Sequence, residues 1–180
     1  MMGDKKGNFK LIMLIMIISL LIAGFWNELP WLKNSIHAVL NPSAGFLINW
    51  NLNLGMLIVV FIITFLTTLI QKYATDQVAL KELKKEQKIV RDEMKKYKDH
   101  PEKMMELQKK QLEFIPKTMK LSMRSFAYTG VPFILFFRWF NDYFTSIGEP
   151  VFIGFMGWFI FYLLASIIFS SILRKWMDVV

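Results

Sequence analysis

A charged stretch of fifty residues, Gln71 to Lys120, divides a chain whose other long segments are apolar enough to cross a membrane. Hydrocarbon leaves no partner for an unpaired peptide group, so each apolar segment is expected to be a helix. The charged stretch must then lie in water between two of them. The fold class that follows is all-α: a polytopic membrane helix bundle with a helical hairpin outside the bilayer.

A bilayer core of ~30 Å takes about 20 residues of helix. Four segments qualify as spans. Leu11 to Trp26, Leu52 to Ile70 and Val151 to Leu173 are uncharged, and Leu121 to Phe140 contains Arg124 and Arg138. An apolar share of 54% and a mean hydropathy of +0.38 place the chain among integral membrane proteins rather than ordinary soluble domains. Lys5, Lys6 and Lys10 ahead of a short apolar run would also suit a signal peptide, but no small-x-small cleavage site follows near Ala23 and Gly24, so a retained anchor is expected. Cysteine is absent, which excludes disulfide and thiolate chemistry.

The net charge of +8 is unevenly placed. Basic residues gather in the N-terminal tail, in 71–120, and at Arg174 and Lys175; the connection Asn27 to Asn51 has only Glu28 and Lys33, and Asn141 to Pro150 has no basic residue. The positive-inside rule therefore puts both termini and the hairpin in the cytoplasm of a multi-pass protein of the cell membrane. The expected parts are an N-terminal anchor with an external amphipathic connection (1–51), a first core span (52–70), a cytoplasmic antiparallel coiled-coil hairpin (71–120), two further core spans (121–173) and a short cytoplasmic tail (174–180).

Within the hairpin, Tyr73, Leu80, Gln87 and Met94 recur every seven residues, with Asp76, Leu83, Val90 and Tyr97 offset by three, which is a heptad seam. On the return helix Met105, Leu112 and Met119 have the same spacing, with Gln108 and Ile115 between them. Asp99 and Glu102 fit a capping box around Pro101. Pro116 removes a helical hydrogen bond, and a kink or hinge is expected there.

The polar residues of the spans fall in the halves nearest the hairpin. Thr64, Thr67, Thr68 and Gln71 share one helical face; Arg124, Ser125, Tyr128 and Thr129 make a second patch; Tyr162, Ser166 and Ser170 make a third. Facing lipid these would be costly, so they are expected to face one another or water, forming a half-open hydrophilic groove. The competing account is that each hydroxyl bonds the preceding turn, as is common in membrane helices. The third span adds a length argument, because only thirteen uncharged residues, Ser125 to Phe137, separate its arginines. They cover ~20 Å of helix. Either both arginines snorkel or the bilayer is locally thin. Met104 and Met123 are candidate contacts for varied apolar clients, since thioethers adapt to many shapes.

The lysines of the hairpin could meet ribosomal RNA or anionic lipid headgroups, although interspersed glutamates make a solvated helix the default. There is no phosphate-binding glycine loop, nucleophile elbow or metal-ligand cluster, so no enzyme activity, cofactor or DNA binding is expected.

The order of parts, and the segments YATDQVALKELKKEQKIVRDEMKKY from Tyr73 and KLSMRSFAYTGVPFILFFRWFNDYF from Lys120, resemble the insertase superfamily of YidC and the mitochondrial oxidase-assembly translocase. More closely the chain looks like the archaeal YidC-like proteins and their relatives, the third subunit of the endoplasmic reticulum membrane protein complex and the transmembrane and coiled-coil domain protein. The likeness covers roughly residues 52 to 173. It implies insertion of client segments from the cytoplasm into lipid without covalent chemistry, with nascent membrane proteins as clients and the ribosome or targeting machinery as further partners. In such relatives a basic residue in the groove attracts the client's acidic flank. Arg124 has a comparable location, but on the span after the hairpin rather than the one before it, and the second span here contains no basic residue. An ion channel or leak pore lined by the same polar stripes is the alternative of a different class; its pore would have to be wet from side to side, whereas the outer halves of these spans are apolar.

Overall fold

The computed structural model describes residues 9–179, apart from the side chains of residues 9–12, 123, 124, 126 and 127. Seven α-helices follow in order: α1 (Phe9–Gly24), α2 (Pro30–Leu40), α3 (Phe46–Trp50), α4 (Leu52–Ala74), α5 (Gln77–Lys96), α6 (Pro101–Ser146) and α7 (Trp158–Met177). The chain is helical as expected, and among the described residues no strand forms. Among the described residues two helices, α4 and α7, are long and apolar enough to cross a membrane, and α1 contributes a shorter apolar stretch, Met13–Gly24.

Caps explain where the helices begin. The Asn51 side chain accepts from the Leu54 amide at 3.0 Å and starts α4, and Asp76 accepts from the Ala79 amide at 3.1 Å and starts α5. Between them Thr75 is extended and buried, so α4 and α5 are separate helices. The expected capping box on α6 does not form: His100 is the residue before the helix and makes no side-chain cap. Its extended backbone is what a residue preceding proline adopts, and that shifts the helix start one position past Asp99. α6 then stays helical through both Pro116 and Pro132.

Two clusters hold the molecule together. At the end far from the hairpin, Ile48 of α3, Met56 and Val60 of α4, and Trp139, Phe140 and Phe144 of α6 pack with Phe152 and Phe161. The rings meet edge-on or offset, as Phe144 does with Phe152 and with Trp158 at centroid distances of 5.5 and 5.8 Å. Their polar atoms are satisfied. The Trp139 indole donates to Asn41 at 2.9 Å, and the Tyr143 hydroxyl reaches the Asn49 side-chain oxygen at 2.8 Å. The connection between α1 and α4 is thus a folded cap. α1 packs along α6, where Gly130 faces Ser19 and an added Cβ would stand at ordinary contact distance, 3.8 Å, from Ser19 Oγ.

The same end is clasped by one carboxylate. Asp142 Oδ2 accepts from the Trp26 indole at 2.7 Å and faces Lys33 Nζ at 3.0 Å and His37 Nε2 at 3.2 Å. Burial opposes ionisation of this carboxyl, but the hydrogen bonds from Trp26, Lys33 and His37, aided by the lysine charge, outweigh it and hold the pKa below the ordinary carboxylate value. Arg138 lies nearby, its guanidinium 5.9 Å from the Trp26 ring.

The second cluster joins α5 to the first part of α6 through Leu83, Val90, Leu107 and Phe114, with Met94, Tyr97 and Leu121 against it. The α5 side of the expected seam is largely in place, although Tyr73 is exposed. The α6 side is not. Met105, Leu112, Ile115 and Met119 are exposed, and the packed positions are Leu107, Phe114 and Leu121, also seven apart. Two stripes with one period run along α6, and the bulkier Phe114 fills the space against α5. A further difference concerns the last apolar segment. Val151 to Gly157 is not helical, because Phe152 and Met156 pair across a tight turn whose Ile153 and Gly154 have φ of 49° and 83°. α7 therefore starts at Trp158.

Candidate functional site

A cavity of about 620 Å³ opens among α4, α6 and α7. Its α4 wall is Thr64, Thr67, Thr68 and Gln71, the face that the i, i+3, i+4, i+7 spacing brings together; its α7 wall is Tyr162, Ser166, Ser170, Ser171 and Arg174. α4 and α7 pack along each other and run in the same direction, which sets Gln71 and Arg174 at one level near the hairpin. There the guanidinium Nη2 donates to Gln71 Oε1 at 2.9 Å, while Arg174 Nε is buried without a hydrogen-bond partner.

The opposite end is lined by rings. Phe133 and Phe137 of α6 meet Phe159 and Tyr162 of α7, with centroid distances of 5.9 Å for Phe137–Phe159 and 5.1 Å for Phe137–Tyr162. The lining is mostly apolar, with Ile63, Leu163 and Ile167 among it; its polar groups stand toward the hairpin and its aromatic rings away from it.

The hydroxyls also bond their own helices. Thr64 donates to the Val60 carbonyl at 2.7 Å, Thr67 to Ile63 at 2.8 Å and Thr68 to Thr64 at 2.7 Å, and Ser166 and Ser171 do likewise on α7. This is the back-bonding of the competing account, made by side chains that also line the cavity. Back-bonding satisfies the hydroxyl proton, and the oxygen, with lone pairs left over, still makes the wall polar.

The second expected patch, on α6, does not join the cavity through its described side chains. Ser125 is buried, Thr129 donates to the Ser125 carbonyl at 3.0 Å, and Tyr128 is exposed. α6 contributes Phe133 and Phe137 instead, the next positions at four-residue spacing from Thr129. The side chains of Arg124 and Met123 lie outside the described residues, and Met104 is half-buried on α6 at the far end from the cavity. Arg174 escaped the sequence reading because it stands where the apolar segment ends. A signal existed nonetheless: Tyr162, Ser166, Ser170 and Arg174 are spaced by four, and the helix runs on past Leu173 to Met177.

The base of the hairpin is tied to the same end of α7. Lys81 of α5 pairs with Asp178, which follows α7 in a left-handed conformation, and the Gln77 side chain donates to the Gln71 carbonyl at 2.9 Å. Hydrogen bonding from Lys81 and its charge lower the pKa of Asp178.

The chain was compared with known proteins. No curated protein and no solved structure matches it. The profile of one family does, over residues 37–153, taking in the end of α2 and all of α3 to α6 and leaving α7 outside. With well over half of its length matched, the chain belongs to the family described as integral membrane protein EMC3/TMCO1-like.

Proposed function

We propose that this protein is a membrane-protein insertase or chaperone that passes client segments from the cytoplasm into lipid through the cavity between α4, α6 and α7. Family membership supports a general, non-enzymatic role of that kind. The observation that carries the specific reading is the asymmetry of the cavity, polar at Thr64, Thr67, Thr68, Gln71 and Arg174 and lined by Phe133, Phe137, Phe159 and Tyr162 at the other end. A charged flank at the centre of a bilayer costs about 2.5–3.5 kcal/mol per residue on insertion scales. A cavity hydrated on one side shortens the distance over which that cost is borne, and the aromatic rings at the other end prevent a continuous aqueous path.

In this reading the hairpin, the cavity mouth and both termini are cytoplasmic, in agreement with the distribution of lysine and arginine. Arg174 serves as the cation that meets a client's acidic flank: it lines the cavity, and one of its nitrogens is left without a partner. Nascent membrane proteins are the clients, and the lysines of the hairpin suit anionic headgroups or the ribosome.

Replacing Thr64, Thr67 and Thr68 together by valine tests the polar wall. Valine keeps the shape that the buried Thr64 and Thr68 require and removes only the hydroxyls. In liposomes, protease protection of a short-tailed client is expected to fall roughly ten-fold relative to wild type, equivalent to ~1.4 kcal/mol, with the melting temperature nearly unchanged. Insertion at the wild-type level would remove the polar wall from the mechanism. The pore alternative is decided on the same preparation. Wild-type protein in planar bilayers is expected to be electrically silent because of these rings, and steady conductance would favour a channel.

A further inference from the structure

The hairpin has an apolar stripe that its own fold leaves uncovered. Met105, Leu112, Ile115 and Met119 lie on one face of α6 at the spacing of a heptad seam, yet α5 packs on the stripe of Leu107, Phe114 and Leu121, which is offset by two residues and lies nearly opposite. Leu112 is 63% exposed and Met105 59%. Beside the stripe a groove of about 540 Å³ runs between the two helices, with Gln87 and Arg91 of α5 as its other bank. Four apolar side chains aligned over more than three turns of a water-exposed helix mark an interaction surface rather than scattered surface residues.

The charge on the two edges describes the occupant. The α5 bank continues into a surface of Lys84, Lys88, Arg91 and Lys95, in which the one acid, Asp92, is already paired with Lys95 at 3.2 Å. The edge beyond the stripe is mixed, with Lys109 and Lys120 interspersed with Glu102 and Glu113. An amphipathic helix laid in the groove would thus meet net positive charge along one side only.

A lipid surface fits poorly. α6 is a single helix of 46 residues, ~69 Å long at 1.5 Å per residue. Its stripe ends at Met119, six residues before the uncharged run that begins at Ser125, so it projects from roughly 9 to 30 Å beyond that run. A helix standing out of the membrane cannot lay such a stripe flat on its own bilayer.

We propose that the outer stripe of α6 and the basic flank of α5 form a docking groove for an amphipathic helix of a separate, soluble protein, with an apolar seam of seven-residue period and an acidic edge turned toward α5. The surface is distinct from the membrane cavity and would recruit a partner to the hairpin, adding a third helix to the pair.

The test uses the full chain in neutral nanodiscs and two fluorescent synthetic helices of equal length with the same leucine seam, one with glutamate and one with lysine along a single edge. The acidic-edged peptide is expected to bind at least ~10-fold more tightly. The double substitution Leu112→Asn and Ile115→Asn should weaken it by a similar factor, and Lys88→Glu with Arg91→Glu should reverse the preference between the peptides. All four positions are exposed, and the charge swap leaves the apolar contacts of the hairpin untouched. Equal binding of both peptides, or a preference that survives the charge swap, overturns the proposal. So does self-association of the chain that the asparagine pair abolishes, which would assign the stripe to a second copy. Loss of peptide binding on anionic nanodiscs would assign it to lipid and overturn the proposal as well.

Discussion

Gly55→Ala is expected to destabilise the protein by about 3 kcal/mol or more, because the new methyl group has nowhere to go. A Cβ at this position would stand 2.0 Å from the Leu47 carbonyl oxygen and 2.7 Å from the Ile48 amide nitrogen, both backbone atoms. The chain leaves α3 at Trp50, turns through an extended Asn51 and starts α4 so tightly that the first turn of α4 touches the last turn of α3. Gly55 is the point of contact, and its amide donates to the Asn51 carbonyl at 2.7 Å. No rotamer change can relieve a clash with backbone, so α3 must shift, and with it Ile48, which is almost fully buried beside Met56. In detergent the melting temperature should fall by roughly 6–12 °C, taking about 2–4 °C per kcal/mol for a chain of this size. Gly24→Ala is the control, since nothing lies within 4 Å of the added atom. If both variants melt with wild type, the close crossing of α3 and α4 is not as described.

Asp142→Asn is expected to cost about 2–3 kcal/mol at neutral pH, since it removes the charge that pairs with Lys33 and weakens an acceptor shared by Trp26 and His37. The pH dependence has a definite sign. The folded-state pKa of Asp142 is depressed, so its contribution is fully present above the ordinary carboxylate range and is lost as pH falls through the folded value. Melting curves of wild type and variant should therefore differ most near neutrality and converge below about pH 4. A gap that stays constant down to pH 3 would show that the clasp acts by packing alone. Structurally, the carboxylate ties the 26–28 turn and α2 to the end of α6, so its loss should loosen this cap before the rest of the bundle.

Much of the architecture was legible in the residues. Hydrocarbon tolerates only helices whose backbone is satisfied, which made the apolar segments readable, and a period of seven with polar flanks made the hairpin readable. The α4 stripe of Thr64, Thr67, Thr68 and Gln71 was legible for the same reason: spacing along one helix determines which side chains share a face. Less legible was the register between helices. Met105, Leu112 and Met119 obey the heptad as well as Leu107, Phe114 and Leu121 do, and periodicity alone cannot choose between two stripes offset by two residues, which lie on nearly opposite faces of the helix. Ser125 and Thr129 matched the polarity expected of a groove, but which face α6 turns toward α7 depends on Phe133, Phe137 and their partners across the interface. The segment Val151 to Gly157 was uncharged and read as helix; the Phe152–Met156 pairing and the burial of Phe152 against Phe144 and Phe161 hold it as a turn.

By itself the sequence determined the helical class, the charged excursion between apolar segments, and the polar faces within single helices, because these depend on composition and on spacing of a few residues. Tertiary structure alone decided that Gln71 meets Arg174, that one carboxylate gathers Trp26, Lys33 and His37, and that aromatic rings line the cavity at one end. The first two sets of contacts join residues about a hundred positions apart, as the 103 between Gln71 and Arg174 shows, and the rings stand on different helices; no local period encodes how two helices are rotated against each other.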